Sequence, residues 1–117
     1  MEHIQNFEEF HAHVYFDEAS TQTARAVCEA ASEAFSLEVG RHHEKPVGPH
    51  PKWSCQLTLS RAQLRPLIAW LGDHRQELTI FIHALSGHDL TDHTEHVFWL
   101  GEPVALNLDV FAEDDNA

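Results

Sequence analysis

Histidine is the residue type in this sequence with the clearest capacity for chemistry. The chain holds 11 histidines, and they are dispersed rather than collected in a terminal run. Histidine is the commonest metal ligand among side chains, and its charge changes near neutral pH, so it can bind a metal or move a proton. Two of the histidines form the motif His11-Ala12-His13. In a β-strand this spacing places both imidazoles on one face, roughly 7 Å apart, where they can share one metal ion.

Three further histidines are placed where they can join this pair. His83 ends a predicted strand, and it approaches His13 if that strand pairs with the first one. His50 lies in segment 45–51, whose three prolines and one glycine predict a stiff loop. His93 lies in the predicted loop after the fourth strand, from which its side chain can reach the same face of the sheet. Together these residues predict a histidine cluster that binds a metal.

The donor types narrow the choice of metal. Imidazoles without thiolates favour iron, zinc, copper or nickel, whereas calcium and magnesium prefer more oxygen ligands. A non-haem iron(II) site often uses two histidines and one carboxylate. Asp17, Glu44 and Asp89 are the candidate carboxylates, and three histidines without a carboxylate are the alternative. His42 and His43 cannot both face the site from one strand. The histidines predicted to lie at the solvated surface are His3, His42, His43, His74, His88 and His96.

Two strand–helix–strand units must position these residues. Hydrophobic periodicity predicts strands at 10–16, 37–44, 53–59, 78–83 and 97–100, and helices at 17–36 and 60–75. The first strand alternates four apolar residues with His11, His13 and Tyr15, so one face is buried and the other carries the polar rings. Two such units in tandem predict an α+β fold with a ferredoxin-like βαββαβ antiparallel sheet and helices on one face. The first and third strands are then central, and the first pairs with the fourth.

Composition excludes several functional classes. The net charge of −12, from 7 basic and 19 acidic residues, argues against binding to nucleic acid or to an anionic membrane. No apolar run reaches the roughly 18 residues of a membrane span, and residues 1–10 lack the features of a signal peptide. Cys28 and Cys55 are expected to be buried free thiols in a reducing compartment. We therefore expect one cytoplasmic domain over residues 1–117, with flexible ends at about 1–8 and 110–117.

Four blocks of the sequence resemble the DOPA 4,5-dioxygenase family, a group of small aromatic ring-cleaving enzymes of fungi and bacteria. The blocks are HAHVYF at 11–16, PVGPHP at 46–51, HALSGHDLTDHT at 83–94 and WLG at 99–101. They occur in the family's order, and the resemblance extends over residues 10–109. The sequence departs from the family pattern at Ala84, where proline is expected, and at Ser86, where threonine is expected. Both departures leave every histidine of the pattern in place.

The resemblance implies a reaction. Family members look like ferredoxin-like α+β proteins that are commonly dimeric, so a homodimer is expected. The implied enzyme is an extradiol dioxygenase in which non-haem Fe(II) binds a catechol such as L-DOPA together with O2. Zinc is expected as a substitute occupant of the same site.

The resemblance also implies roles for individual residues. His13, His50 and His83 are the expected metal ligands, and His11 is the alternative ligand or a catalytic residue. His93 is the candidate for proton transfer. Tyr15 is expected to hydrogen-bond to the substrate or to the peroxide. Arg41 is the candidate partner of a substrate carboxylate, and a solvated arginine at the end of a strand is the alternative.

Two other functions compete with this interpretation. One is a metal-binding ferredoxin-like protein without ring-cleaving activity. The other is a structural module that dimerises through the open face of the sheet. A face used only for dimerisation should be apolar, and His11, His13 and Tyr15 are poorly suited to that role.

Overall fold

The computed structural model describes residues 2–111, and its centre is one antiparallel sheet of five strands. The strands are β1 (Glu9–Phe16), β2 (Glu38–His43), β3 (Trp53–Ser60), β4 (Ile80–Ala84) and β5 (Val97–Leu100). The α-helices are α1 (Thr21–Phe35), α2 (Arg61–His74) and α3 (Asp89–Thr94), and 3-10 turns occur at Glu18–Ser20 and Leu108–Phe111. The strand order is β2-β3-β1-β4-β5. The predicted α+β class is confirmed, as are the central position of β1 and β3 and the pairing of β1 with β4.

The alternation in β1 separates the two faces of the sheet. Phe10, Ala12 and Val14 are fully buried, and they point into the core beneath α1 and α2. Burial of one large apolar side chain stabilises a fold by roughly 1.5–3 kcal/mol. Since a shift of one residue would move this apolar set to the other face, the core fixes the register of β1. The same constraint holds His11 and His13 on the face away from the two long helices.

Both long helices begin at local hydrogen-bonded caps. Before α1, the Asp17 carboxylate accepts from the backbone N–H of Ser20 at 3.0 Å, so the predicted helix opens with a 3-10 turn. Before α2, the side chains of Ser60 and Gln63 form a capping box. Ser36 ends α1 in the left-handed conformation, with φ of 55°. These caps explain why the observed helices start one to four residues later than the predicted ones.

The segment after β4 differs from its prediction. His93 was expected on a loop, but it lies on α3, a helix of six residues. Asp89 and Asp92 occupy the first turn of α3, where a negative charge interacts favourably with the helix dipole. α3 packs against β4 on the face opposite α1 and α2, because the His93 ring lies 4.0 Å from the ring of His83.

The ends of the described chain pack onto the fold. Residues 1–8 were expected to be a flexible end, whereas Ile4 is fully buried in the core and Phe7 packs beside it. At the other end Phe111 is buried and Val110 is exposed. Residues 112–117 of the second predicted flexible end lie outside the described residues.

Two further expectations concern the body of the domain. Cys28 and Cys55 are both buried and free, as predicted. Within residues 2–111, none of the helices combines the length and the apolar character that crossing a bilayer requires.

Candidate functional site

The pairing of β1 with β4 brings three histidines together. His11 lies directly opposite His83 in this register, and His13 lies opposite Phe81. His13 and His83 are only 4% and 2% exposed. Their Nε2 atoms are 3.0 Å apart. The sheet therefore forms the floor of a buried imidazole cluster at the place where the sequence predicted one.

His50 reaches this floor from the loop between β2 and β3. The loop turns at Gly48, whose φ of 54° favours glycine, and the backbone N–H of His50 donates to the carbonyl of Val47 at 3.0 Å. The His50 ring then lies 4.0 Å from the ring of His13. The proline-rich loop thus holds His50 as a buried member of the cluster.

Asp92 fixes the helix that carries His93. Its carboxylate accepts three hydrogen bonds: from Ser86 N–H at 2.7 Å, from Ser86 Oγ at 2.6 Å and from His96 Nδ1 at 2.8 Å. Burial acts to raise the pKa of Asp92, but the hydrogen bonds from Ser86 and His96 outweigh it and lower that pKa. His96 was predicted to lie at the solvated surface. It is instead half-buried, because it spans from Asp92 to the ring of Phe7 at 4.5 Å.

His42 was also predicted at the solvated surface, and this prediction is wrong. Its ring stacks on Phe16 at 4.3 Å, and its Nε2 lies 2.8 Å from the hydroxyl of Thr21. His42 therefore belongs to the side of the sheet that faces α1. His43 lines a cavity on the other side, so the expectation that these neighbours diverge is confirmed. The remaining histidines of the predicted surface set are exposed, namely His3, His74 and His88.

The histidine nitrogens of residues 2–111 form two overlapping groups that can hold a metal ion. One group is His11, His13 and His83, and the other is His13, His50 and His93, with all ligand atoms in each group within 4.8 Å of one another. His13 belongs to both groups. The predicted ligand set of His13, His50 and His83 takes members from each.

Neither group contains a carboxylate. Asp17 is engaged in the cap before α1, and the Glu44 carboxylate accepts from the hydroxyl of Thr21 at 3.1 Å. Asp89 lines the cavity beside the histidines. Among the three carboxylates considered from the sequence, Asp89 is therefore the one beside the cluster.

Hydrogen bonds at Nδ1 leave the opposite ring nitrogens available. His83 Nδ1 donates to the Ala84 carbonyl at 2.9 Å, and His93 Nδ1 donates to the Asp89 carbonyl at 2.7 Å. A carbonyl can only accept, so both rings carry the proton on Nδ1 and a lone pair on Nε2. Ligating histidines are usually oriented in this way by a second hydrogen bond. The Tyr15 hydroxyl is 2.7 Å from Nδ1 of His50 and can serve the same purpose.

The separation of His13 and His83 fits a shared metal. Because His83 Nε2 carries a lone pair, His13 Nε2–H donates to it when no ion is present. When two nitrogens each lie about 2.1 Å from one ion and their bonds to it form a right angle, the nitrogens are about 3.0 Å apart. The observed Nε2–Nε2 distance is 3.0 Å, so the two nitrogens already lie at the separation that one shared ion requires.

Burial keeps the whole cluster neutral. It is the largest cause that lowers the pKa at each of the five rings. Burial, with repulsion from His93 next in size, lowers the pKa of His50 to about 4 and that of His83 to about 3. The pKa of His13 also lies well below its ordinary value, through burial and its proximity to His50. Neutral imidazoles are the form that binds metal, so the cluster is ready for an ion at neutral pH.

The same lowered pKa values predict that acid destabilises the metal-free chain. An unfolded histidine titrates near 6.5, whereas His50 and His83 titrate at about 4 and about 3 in the fold. Between these values the unfolded state binds more protons, so the unfolding free energy falls as the pH is lowered from about 6.5 to about 4. The slope is about 1.4 kcal/mol per pH unit for each buried histidine.

Urea unfolding of the metal-free protein at pH 7.5, 6 and 5 measures this dependence. His83→Gln removes one of the responsible groups and should make the dependence shallower over the same range. An unfolding free energy that is the same at pH 7.5, 6 and 5 would contradict the neutral buried cluster.

Two adjoining cavities open onto the histidines. The first has a volume of about 240 Å³ and is lined by all five members of the cluster. The second has a volume of about 170 Å³ and contains Arg41 and His43 in its wall. Both cavities are lined by His13, His50 and Gln56. Gln56 was not predicted to belong to the site, although its place on the outward face of β3 follows from the alternation of that strand.

The site residues lie within a region that matches a known family. The model of the Dopa 4,5-dioxygenase family matches residues 10–110. DOPA 4,5-dioxygenase of Amanita muscaria is 27% identical over 109 residues, which are 86% of this chain and 48% of that protein. An uncharacterized 21.2 kDa protein of Botryotinia fuckeliana is 28% identical over 111 residues, which are 85% of this chain and 61% of that protein. The chain thus spans about half to three-fifths of the length of these curated relatives.

A solved structure is similar over almost its full length. The crystal structure of a candidate dioxygenase from Nostoc punctiforme superposes with a TM-score of 0.88 at 37% identity. The match covers 92% of this chain and 93% of that one. The fold of this chain therefore has a counterpart among solved proteins.

Proposed function

The chain belongs to the Dopa 4,5-dioxygenase family, and from this premise we propose that it is a non-haem iron(II) extradiol dioxygenase that opens the ring of a catechol with O2. The observation that carries the proposal is the cluster of five histidines, three of them buried, at the wall of an open cavity. L-DOPA is the first catechol to consider, since the relative from Amanita muscaria is named DOPA 4,5-dioxygenase. A non-enzymatic module would have little use for five neutral imidazoles turned toward one cavity.

His13 and His83 are the proposed pair of iron ligands. Their 3.0 Å separation and the free lone pair on His83 Nε2 support this role. His50 is the proposed third ligand, with Tyr15 holding its Nδ1, and His11 is the alternative. The amide of Gln56 lies 3.3 Å from His11 Nε2 and would have to release it for ligation.

Iron(II) held there would supply open coordination positions and the electron transfer that couples a catechol to O2. Zinc accepts the same imidazole ligands, but it has no redox chemistry, so zinc-loaded protein would not open the ring. The side chains around the ion must then bind the catechol, exclude water and move its hydroxyl proton.

His93 is the proposed proton carrier. Burial lowers its pKa, so the ring is neutral at pH 7 and can accept the hydroxyl proton at Nε2. Its Nδ1–H continues to donate to the backbone carbonyl of Asp89. This hydrogen bond stabilises the cation that forms when Nε2 is protonated. The protonated ring can return that proton later in the reaction. Phe111 packs on the His93 ring at 4.6 Å and shields it from bulk water.

Tyr15 is the proposed hydrogen-bond donor of the site. Burial raises the pKa of its hydroxyl, which therefore keeps its proton at neutral pH. The hydroxyl lies 2.7 Å from His50 Nδ1. When His50 binds the ion through Nε2, its Nδ1–H donates to the Tyr15 oxygen, and the Tyr15 proton can then turn toward a bound substrate.

Anaerobic loading with Fe(II), followed by a panel of catechols that includes L-DOPA, tests the proposed function. We expect oxygen uptake and a yellow ring-opened product that depend on iron and disappear with a chelator. Zinc-loaded protein is the matched control, and it should bind metal without consuming oxygen. Protein with stoichiometric iron that consumes no oxygen with any catechol would instead favour a metal-binding protein without this activity. The predicted homodimer remains a proposal, which sedimentation equilibrium of the same sample tests.

A further inference from the structure

A second cluster of reactive side chains lies on the face of the sheet opposite the histidine cluster. Cys28 belongs to the buried face of α1, and Cys55 belongs to the face of β3 that packs beneath this helix. Each cysteine is only 2% exposed. The Cys28 thiol donates a hydrogen bond to the sulfur of Cys55. The two sulfur atoms are therefore direct neighbours across the interface between helix and sheet.

Small side chains let α1 pack close to the sheet at this place. Ala24 and Ala31, one turn before and one turn after Cys28, are fully buried on the same face of the helix. A disulfide requires Cα atoms about 4.4–6.8 Å apart, which a helix and a sheet reach only where the side chains between them are small. The packing around Cys28 is of the kind that a bond to β3 needs.

A cavity of about 140 Å³ gives small molecules a route to the thiols. It lies between α1, β2 and β3, and both cysteines line it. Arg25, Glu29 and Val39 also line it, and all three are exposed, so the cavity opens to the surface. A water molecule takes up about 30 Å³ in the liquid, so the cavity admits hydrogen peroxide but excludes a bulky disulfide such as oxidised glutathione.

The two thiols differ in acidity, and this difference assigns them different roles. The hydrogen bond from Cys28 lowers the pKa of Cys55, and the charge of Arg25 lowers it further, against the opposing effect of burial. The hydrogen bond to Cys55, together with burial, raises the pKa of Cys28. Because the thiolate is the attacking form of cysteine, Cys55 is the residue that attacks an oxidant, and Cys28 is the residue that closes a disulfide.

His42 supplies a proton acceptor beside Cys55. The two residues pair across β2 and β3, so their side chains share one face and their Cβ atoms lie roughly 5 Å apart. The Thr21 hydroxyl donates to the Glu44 carboxylate and therefore accepts from His42 Nε2–H. Burial lowers the pKa of His42, so the ring is neutral and Nδ1 carries a lone pair. This buried nitrogen has no hydrogen-bond partner within residues 2–111, and a rotation of the Cys55 side chain can bring it one.

We propose that Cys28 and Cys55 form a redox-active dithiol that reduces hydrogen peroxide and becomes a disulfide between α1 and β3. His42 Nδ1 accepts the Cys55 proton, and the Cys55 sulfur attacks one peroxide oxygen. The O–O bond breaks, and the leaving hydroxide takes the proton from His42 and departs as water. This step leaves a sulfenic acid on Cys55.

The second step closes the disulfide. The Cys28 sulfur attacks the sulfur of the Cys55 sulfenic acid, the S–O bond breaks, and the hydroxide leaves with the Cys28 proton as a second water. Each sulfur has then lost one electron, and the peroxide has gained both. β2 and the loop that carries His50 lie between the two cysteines in the chain, so the bond encloses them in a covalent ring. The inference does not depend on the proposed ring-opening reaction.

Titration of the full chain with hydrogen peroxide, followed by intact-mass spectrometry, tests the inference. A chelator in the buffer prevents oxidation driven by iron. We expect an equimolar amount of peroxide to remove both free thiols, with a mass loss of about 2 Da that dithiothreitol reverses. Peptide mapping should find the Cys28–Cys55 bond within one chain. Retention of both thiols, or disulfides that form only between chains, would overturn the inference.

Variants of the two cysteines test their separate roles. Cys28→Ala should stop at the sulfenic acid of Cys55, with a mass gain of about 16 Da and reaction with dimedone. Cys55→Ala should keep its Cys28 thiol at the same peroxide concentration. Circular dichroism confirms that each variant is folded. A sulfenic acid that forms on Cys28 as readily as on Cys55 would contradict the assigned order of attack.

A pair of arginine variants tests the electrostatic part of the site. Arg25→Gln should slow the loss of free thiols by about 3- to 10-fold, because a thiolate near a cation is stabilised by that charge. Arg65→Gln is the matched control, since it removes the same charge from α2, where Arg65 donates to Gln5. Its rate should equal that of the unaltered protein. Equal rates in the two variants would reject the role of Arg25.

Discussion

Replacing His13 by alanine is expected to abolish stoichiometric iron binding and the oxygen uptake that depends on it. His13 contributes to both groups of histidines that can hold a metal, so its loss leaves neither group with three ligands. A structural metal site with four ligands provides about 10–16 kcal/mol, or roughly 3 kcal/mol for each ligand. The loss of one ligand therefore weakens metal binding by at least about 100-fold. Metal analysis after gel filtration, together with the circular dichroism spectrum to confirm folding, measures this effect.

The other single replacements distinguish the two groups. His11→Ala removes a ligand from the first group alone, and His50→Ala removes one from the second alone. If the iron uses His13, His50 and His83, His50→Ala should lose metal while His11→Ala keeps it, and the reverse result would identify His11 as the ligand. His88→Ala removes an exposed imidazole and is the control. Full iron content in His13→Ala would refute the proposed centre.

Replacing Asp92 by alanine is expected to reduce the unfolding free energy by about 3 kcal/mol. The change leaves the Ser86 N–H, the Ser86 hydroxyl and His96 Nδ1 without their acceptor, and each unsatisfied donor costs about 1–3 kcal/mol when buried. Partial access to water at Ser86 keeps the total near the lower end of that range. For a domain of this size, such a loss corresponds to a fall in Tm of roughly 10–15 °C.

Thermal melts of the metal-free variants measure the role of Asp92. Asp89→Ala is the matched control, because Asp89 is an exposed residue in the first turn of the same helix. The unfolding free energy of Asp89→Ala should fall by less than about 1 kcal/mol, the contribution of one charge at a helix terminus. The melting temperature of Asp92→Asn should lie between those of Asp92→Ala and Asp89→Ala, since its amide oxygen still accepts a hydrogen bond. Equal melting temperatures for Asp92→Ala and Asp89→Ala would show that the buried carboxylate does not hold α3 in place.

The alternation of polar and apolar residues made the floor of the site predictable. Phe10 to Phe16 reads as a strand with one buried face, and that pattern alone puts His11 and His13 on the other face. The tandem strand–helix–strand order then implies the pairing that brings His83 opposite His11. Both inferences depend on short-range patterns whose geometry leaves few choices.

The parts that escaped prediction depend on contacts between distant residues. Ser86 and Gly87 resemble an ordinary turn, and nothing local shows that the Asp92 carboxylate folds back onto Ser86 and starts a helix. The half-buried position of His96 follows from the same carboxylate. Strand β2 also contains a β-bulge, where Gly40 and Arg41 together face the single residue Gln56 of β3. This bulge was equally hidden, because a residue inserted into one strand shows only in its register against the partner strand.

The bulge at Gly40 and Arg41 also affects how copies of this protein meet in concentrated solution. β2 is an edge strand of the sheet, and a flat edge strand can pair with the edge of another molecule and start aggregation. The two-against-one register interrupts the regular spacing of backbone donors and acceptors, and Glu38 and Arg41 place charges along the same edge. Straightening the strand by deleting Gly40 would thus expose a better template for edge-to-edge association. Substitutions in β2 should therefore keep this backbone irregularity, so that solubility is preserved.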